Sequence, residues 1–202
     1  VQLPSDVAEA RAIIGDKAGI MVKVEKPSAL KYLDEIIEHA DAIMVARGDL
    51  GVELPLESVP GWQKRMVRAC RRAGKPVVVA TQMLESMIQE PVPTRAEVSD
   101  VATALFEGAD AIMLSAESAA GQWPEEAVAT MDRIARSIEN DPLYGDIIKN
   151  ARTEPQQTSA DAIAHAARTV AETLAVSAIV CYTGSGSTGL RVARERPDMP
   201  VI

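Results

Sequence analysis

The sequence predicts an α/β protein built from successive β/α units, and three observations carry that reading. Four short, near-continuously apolar runs each end on a polar or charged residue. Ile20–Glu25 closes on Lys23 and Glu25, and Ala42–Ala46 on Arg47, Gly48 and Asp49. Val77–Ala80 closes on Thr81, and Ala111–Leu114 on Ser115 and Glu117. Such strands belong to a parallel sheet covered on both faces, where a charge is tolerated only at an end or against a partner. Glu25, Asp49, Thr81 and Ser115 lie 24, 32 and 34 residues apart, the spacing of successive β/α units. A (β/α) barrel gathers its chemistry at this C-terminal rim from several strands. Finally, the chain is 47% hydrophobic and only 3% aromatic. Its core is therefore made of Ala, Val, Ile, Leu and Met, which fits α/β architecture and excludes disorder as the overall state.

Each element follows from local signals. Asp6–Ile14 reads as a helix with Ser5 as N-cap and Gly15 as its stop. After the first strand, a helix near Ser28–His39 carries the apolar stripe Leu33, Ile36 and Ile37. The second strand ends at Asp49, and Leu50–Pro60, with Gly51, Pro55 and Pro60, reads as a loop. Trp62–Ala73 is a basic-surfaced helix closed by Gly74, and Pro76 opens the third strand. Leu84–Pro93 is a loop or short helix, and Thr94–Glu107 a helix ended by Gly108. After the fourth strand, Pro124 occupies the first turn of a helix reaching about Asn140. The polar stretch Asn150–Gln157 is the candidate domain boundary. Beyond it, Thr158 and Asp161 form a capping box for a helix to Leu174. A strand Ala178–Tyr182, a Gly/Ser loop, a helix near Leu190–Arg194 and the apolar run Met199–Ile202 complete the 202 residues.

Composition narrows the function classes. A net charge of −8 without a basic, aromatic-interleaved cluster argues against nucleic-acid partners. Cys70 and Cys181 sit in unrelated segments, so a disulfide framework is not written here and a reducing compartment fits. No apolar stretch approaches 18 residues and no signal peptide is visible, so a cytoplasmic protein with no membrane partner is expected. Val1 is not methionine and Ile202 falls inside a strand-like run, so both ends read as cut.

The strand ends suggest chemistry. Period-two alternation puts Lys23 and Glu25 on one face and Val22 and Val24 on the other. Two such charges can be a simple ion pair. With Asp49 at the next strand end, two carboxylates can instead form a hard-oxygen site for Mg²⁺ or Mn²⁺, which such sites commonly hold with one or two carboxylates. A lysine beside it would supply a second positive charge for a phosphoryl group or enolate. Gly48 is either a turn glycine or a close-approach point for an anionic ligand. Thr81 and Ser115 taken alone are weak signals, since such hydroxyls often cap a following helix.

The segments MVKVEKP (Met21 to Pro27), IMVARGDLGVELP (Ile43 to Pro55), GKPVVVATQMLESMI (Gly74 to Ile88), PTRAEVSDVA (Pro93 to Ala102) and AIMLSAES (Ala111 to Ser118) resemble pyruvate kinase. The match runs in order over nearly the whole chain. It implies the second half of a TIM (β/α)₈ barrel over residues 1–149, then the truncated start of an α/β C-terminal domain over 150–202. It implies phosphoryl transfer from phosphoenolpyruvate to ADP, giving pyruvate and ATP, the last step of glycolysis. Lys23 would contact the transferring phosphoryl group, and Glu25 and Asp49 would hold the Mg²⁺ or Mn²⁺. Gly48 and Asp49 would bind the substrate carboxylate through backbone N–H groups, and Thr81 would lie near the enolate carbon. Ser115 and Glu117 match a polar pair with a role in proton delivery. Ala116-Glu117-Ser118 stands where the family usually reads Gly-Glu-Thr.

The resemblance also implies a homo-oligomer, and K⁺ in the full-length enzyme with ligands outside this chain. The first half of the barrel and its lid domain are missing, so the fragment alone is expected to be inactive. Two alternatives stand beside this reading: another metal-dependent pyruvate or phosphoenolpyruvate barrel enzyme (an aldolase or lyase), and a non-catalytic binding module.

Gly184-Ser185-Gly186-Ser187-Thr188-Gly189 fits GxGxxG between a strand and a helix. The acidic residue of a dinucleotide site would fall past Ile202, so a phosphate site using the hydroxyls of Thr183, Ser185, Ser187 and Thr188 is more economical. This loop matches the family's phosphorylated-effector pocket, and a plain turn is the remaining reading. His39 and His165 lack metal-ligand spacing. Arg65, Arg68, Arg71 and Arg72 read as a solvated helix face, and Met83 and Met87 as packing.

Overall fold

Parallel pairing in sequence order organises the N-terminal part of the chain. Strands β1 (Met21–Val24), β2 (Ala42–Ala46), β3 (Val77–Ala80) and β4 (Ala111–Met113) form a four-stranded sheet of order β1-β2-β3-β4. Lys23 pairs with Met44, Met44 with Val78, and Val78 with Ala111 in the Cα register. A doubly wound sheet reverses its strand order at a switch point; this sheet never reverses, which is the order of consecutive barrel units. The computed structural model describes residues 1–150 and 157–202, and the chain divides into two compact units, Val1–Ile147 and Ile148–Ile202.

In the first unit the helices cover one face of the sheet. These are α1 (Pro4–Ile14), α2 (Pro27–Lys31), α3 (Leu33–His39), α4 (Arg47–Glu53), α5 (Val59–Ala73), α6 (Arg95–Glu107), α7 (Ala116–Ala119) and α8 (Pro124–Glu139). Val22, Val24, Ile43, Val45, Val77 and Val79 point into the covered side and join Ile36, Ile37, Met66, Val67, Val101 and Ala104 in one core. Each such fully buried aliphatic side chain contributes about 1.5–3 kcal/mol. The other face is more open than expected of a sheet covered on both sides: Met21 and Lys23 are exposed, and Met44 and Val78 are only half-buried.

Several elements depart from expectation for local reasons. The cap of α1 is Leu3, not Ser5, because the Asp6 carboxylate accepts from the N–H groups of Gln2 and Leu3 and closes the turn two residues earlier. The single helix expected over Ser28–His39 is two, α2 and α3, broken at Tyr32 (φ −114°, ψ 24°). The region expected as a loop over Leu50–Pro60 is largely helical: α4 starts straight after β2, a 3₁₀ turn spans Leu56–Ser58, and α5 begins at Val59. Asp49 therefore sits in a helical first turn rather than at a strand end. On α5, Arg71 is buried rather than part of a solvated face, whereas Arg65 lies over the Trp62 ring at 4.8 Å. Gly74 and Gly108 end α5 and α6 in the left-handed conformation, and Thr94 caps α6 in a complete capping box with Glu97. Met83 and Met87 are fully buried packing residues.

Helix α9 (Pro142–Asn150) reaches across the division between the units. Of the candidate boundary Asn150–Gln157, residues 151–156 lie outside the described residues. The second unit contains α10 (Ser159–Thr173) and α11 (Ser187–Arg194). The Thr158 hydroxyl caps α10 by accepting from the Asp161 N–H. The reciprocal half of the expected capping box does not form: the Asp161 carboxylate turns away to Arg191 and Arg194. The run Ala178–Tyr182 contributes one parallel bridge, Ile179 with Val201, in place of a full strand.

Candidate active site at the strand ends

The rim of the sheet is assembled around Lys23. Alternation along β1 buries Val22 and Val24 and leaves Lys23 on the open face. Its Nζ lies 2.9 Å from Glu25 Oε2 and 2.8 Å from Asp49 Oδ2. One ammonium thus joins carboxylates carried by two adjacent β/α units. Asp49 first, and Glu25 second, hold the Lys23 pKa above the ordinary lysine value. Lys23 in turn holds Asp49 below the usual carboxylate range. The side chains of Lys23 and Asp49 are 50% and 52% exposed. Solvent screening at that exposure leaves the pair worth at most about 1 kcal/mol to folding, while the same exposure makes all three groups accessible to a ligand. Next to them Lys26 Nζ donates to Glu53 Oε1 at 2.5 Å, fastening the start of α2 to the end of α4.

The ion-pair reading of Lys23 and Glu25 and the metal reading are compatible in this geometry. Both carboxylates are acceptor-only oxygen donors placed against one cation, a donor set that suits a hard divalent ion such as Mg²⁺ or Mn²⁺. Among the described residues no group of three or more His, Cys, Asp or Glu side chains is gathered for a metal. A two-carboxylate site that leaves positions for water and substrate oxygens is the arrangement Mg²⁺ favours.

Gly48 and Thr81 meet between β2 and β3. The Gly48 N–H donates to Thr81 Oγ1 at 2.7 Å, and that hydroxyl donates to the Ala80 carbonyl at 2.6 Å. A Cβ on Gly48 would lie 3.4 Å from Thr81 Oγ1, so the glycine permits close approach rather than a special φ. Strain sits on the other partner: Thr81 (φ 73°) and Gln82 (φ 52°) are both left-handed. That conformation costs roughly 1–2 kcal/mol per non-glycine residue, most for a β-branched one.

The side chain that spans this corner is Arg47. Its Nη2 donates to the Thr81 carbonyl at 2.7 Å and to the Gln82 carbonyl at 3.2 Å, and its Nε to Thr81 O at 3.3 Å. Nη1 is anchored on Asp100 at 2.7 Å and reaches Gln63 Oε1 at 3.4 Å. The buried Gln63 then donates to Glu107 Oε2 at 2.9 Å. Sequence reasoning counted Arg47 only as a strand-closing charge and passed over Gln63 and Asp100. Those two partners lie 16 and 53 residues from Arg47, and no periodicity links them.

Ser115 stands at the end of β4 as N-cap of α7, but its side chain makes no cap hydrogen bond. Its backbone N–H donates to Glu117 Oε2 at 2.7 Å, and the Leu84 N–H reaches Glu117 Oε1 at 3.3 Å. Glu117 is only 2% exposed, so it clamps the β4 corner to the segment after β3. Backbone packs tightly here: a Cβ on Gly121 would come within 2.5 Å of the Glu117 carbonyl oxygen.

In the second unit the Gly/Ser loop lies at the start of α11, with Gly186 (φ 78°) as N-cap. Ser185 Oγ donates to Ser187 Oγ at 3.0 Å; Ser185, Ser187 and Thr188 are exposed and Thr183 is half-buried. The structure thus brings Lys23, Glu25, Gly48, Asp49 and Thr81 together, places Ser115 at the neighbouring strand end, and sets the four loop hydroxyls in a separate unit.

Comparison with known proteins gives this arrangement its family. Residues 1–128 match the family model described as pyruvate kinase, barrel domain, and residues 161–202 the one described as pyruvate kinase, alpha/beta domain. The chain is 63% identical over 202 residues to a pyruvate kinase of Methylorubrum extorquens and 51% identical over 202 residues to one of Agrobacterium vitis, covering all of this chain and 42% of each relative. A pyruvate kinase of Geobacillus stearothermophilus is 48% identical over 206 residues, covering all of this chain and 35% of the relative. The chain spans about two fifths of the length of the first two. It belongs to the pyruvate kinase family, and its parallel sheet is part of that family's barrel domain.

Proposed function

We propose that the protein to which this chain belongs is a pyruvate kinase, transferring the phosphoryl group of phosphoenolpyruvate to ADP and releasing pyruvate and ATP. The observation that carries the reading is one ammonium, Lys23 Nζ, at 2.8–2.9 Å from carboxylates of two successive β/α units. The backbone N–H groups of Gly48 and Asp49 and the Thr81 hydroxyl lie alongside. Glu25 and Asp49 would hold Mg²⁺ or Mn²⁺, which when bound neutralises phosphoryl charge and orients substrate oxygens. Potassium would be held by residues outside this chain. Residues 1–149 supply half of the barrel on this reading, and residues 150–202 the start of the C-terminal domain.

Each residue then has a task. The backbone N–H groups of Asp49 and of Gly48, the latter held by the Thr81 hydroxyl until substrate displaces it, would receive the substrate carboxylate. Lys23 places its ammonium against the phosphoryl oxygens, where a loose transition state rewards fixed charge over covalent chemistry. The P–O bond to the enol oxygen breaks as the bond to the ADP oxygen forms, leaving the enolate of pyruvate. Thr81 sits beside the carbon that must next gain a proton, with Ser115 as a neighbouring hydroxyl. The loop with Thr183, Ser185, Ser187 and Thr188 is read as the seat of a phosphorylated effector. A cytoplasmic setting suits the free thiols of Cys70 and Cys181. Among the described residues no helix is long and apolar enough to cross a membrane. A homo-oligomer is expected.

A coupled assay for pyruvate formation from phosphoenolpyruvate and ADP, run on the full-length protein with Mg²⁺ and K⁺, tests the reading. ADP-dependent pyruvate release supports it. Pyruvate release that ignores ADP would favour an aldolase or lyase on the same barrel.

A further inference from the structure

We propose that Arg47 is a positioning residue for this reaction: its guanidinium holds the left-handed Thr81–Gln82 corner in place, and so sets the Thr81 hydroxyl against the Gly48 N–H and beside Asp49. The inference rests on the catalytic reading above and names a part of the site that reading does not use.

Three features of the geometry converge. Thr81 and Gln82 are consecutive non-glycine residues with positive φ, 73° and 52°. Such a pair persists only where its surroundings over-determine it. Their two carbonyls, the groups a left-handed corner turns outward, both accept from Arg47 Nη2, at 2.7 and 3.2 Å. The guanidinium is itself pinned, by Asp100 at 2.7 Å and by Gln63, and its side chain is only 11% exposed.

Chain continuity supplies the reason for the arrangement. Arg47, Gly48 and Asp49 form one helical turn at the start of α4. The side chain of the first grips the backbone of Thr81, and the N–H of the second takes its hydroxyl. The third carries the carboxylate bound to Lys23. Thr81 and the Lys23–Glu25–Asp49 cluster are thus indexed to the same turn. A lysine could keep the charge opposite Asp100, but it lacks the planar fork that reaches two carbonyls and a carboxylate together.

The test compares Arg47→Lys, Arg47→Ala, Gln82→Gly and the Arg47→Ala/Gln82→Gly double variant in the full-length enzyme, with Lys23→Met as reference. Both Arg47 variants should lose about 100-fold in kcat, the penalty of a misplaced reacting group, and Arg47→Ala should also lower the melting temperature, because it leaves Asp100 and the Thr81 and Gln82 carbonyls without their donor. Glycine adopts positive φ freely, so Gln82→Gly should return about fivefold or more of the turnover lost in Arg47→Ala. A purely structural role for Arg47 would not produce that rescue. Should Arg47→Ala fail to fold, Arg47→Lys carries the comparison, alone and with Gln82→Gly. If the Arg47 variants turn over within threefold of the parent, or glycine at position 82 restores nothing, while Lys23→Met is inactive, the positioning role is overturned and the catalytic reading stands. If Lys23→Met keeps its turnover, the catalytic reading itself falls.

Discussion

Two clusters of opposite charges among the described residues put their carboxylates to opposite uses. At the rim, Lys23, Glu25 and Asp49 are joined at 2.8–2.9 Å but remain 50%, 27% and 52% exposed. In the second unit, Asp161 is wholly buried, and its two carboxylate oxygens are taken by Arg191 and Arg194. Nearby, His165 Nδ1 lies 2.9 Å from Glu195 Oε2, and Arg168 Nε lies 3.7 Å from the same oxygen. Burial separates the two roles. A buried carboxylate with both oxygens occupied by guanidinium groups of α11 is a joint between α10 and α11. The carboxylates at the open rim, Glu25 after β1 and Asp49 in the first turn of α4, keep lone pairs facing water, and those can be handed to a ligand.

The sharpest way to break this contrast is Lys23→Met in the full-length enzyme. If the rim charge acts on the transition state, kcat measured with phosphoenolpyruvate and ADP should drop by a factor on the order of 10³ or more. Mn²⁺ binding, followed by electron paramagnetic resonance, should change little. Near-normal turnover would make Lys23 a structural cation like Arg191.

Asp161→Ala probes the other pole. It leaves Arg191 and Arg194 facing a site with no counter-charge, so urea unfolding should show a loss of about 3–5 kcal/mol in the second unit. A loss under 1 kcal/mol would mean that water reaches this carboxylate as it reaches Asp49.

Glu97 lies between the extremes. It closes the capping box of α6 and accepts from the Ser86 N–H and hydroxyl at 2.7 and 2.6 Å. Burial alone would raise its pKa, but the hydrogen bonds from Ser86 and Thr94 prevail and hold it below the usual carboxylate range. A carboxylate depressed in the folded state stabilises above its unfolded pKa and loses that contribution as pH falls through the folded value. Glu97→Gln should therefore be less stable by about 1 kcal/mol at pH 7. The gap should close below about pH 4, as measured by melting temperature across a pH series. A gap that persists into acid would assign the loss to amide geometry rather than to charge.

Asp49→Asn should give the smallest effect on stability, under about 1 kcal/mol, because an exposed ion pair is screened. The same substitution should weaken Mn²⁺ binding clearly. A large loss of stability without a change in metal affinity would place Asp49 with Asp161 rather than at a functional rim.

Much of this was legible in the chain itself, at the points where local rules act alone. Gly74 and Gly108 read as helix stops and adopt the left-handed conformation such stops require. Thr94 with Glu97 read as a helix start and forms the full box. The four apolar runs read as parallel strands and pair in order. Reading failed where a side chain had a competing partner. Asp161 had the right spacing for a reciprocal cap but was drawn to two arginines 30 and 33 residues away. Arg71 shared the spacing of its exposed neighbours on α5 yet is buried.

The sequence by itself determined the α/β class, the order of the units and the residue types at each strand end, because these follow from period, spacing and the cost of burying charge in a sheet. It also carried the family, through long strings such as MVKVEKP and PTRAEVSDVA. Only the tertiary structure decided that Lys23 faces both carboxylates and that Arg47 grips the Thr81 corner. It also decided that two non-glycine residues there are left-handed, a conformation their identities disfavour. A local preference of 1–2 kcal/mol yields when charged and backbone groups from distant segments converge on one point, and that convergence is not written in any window of the chain.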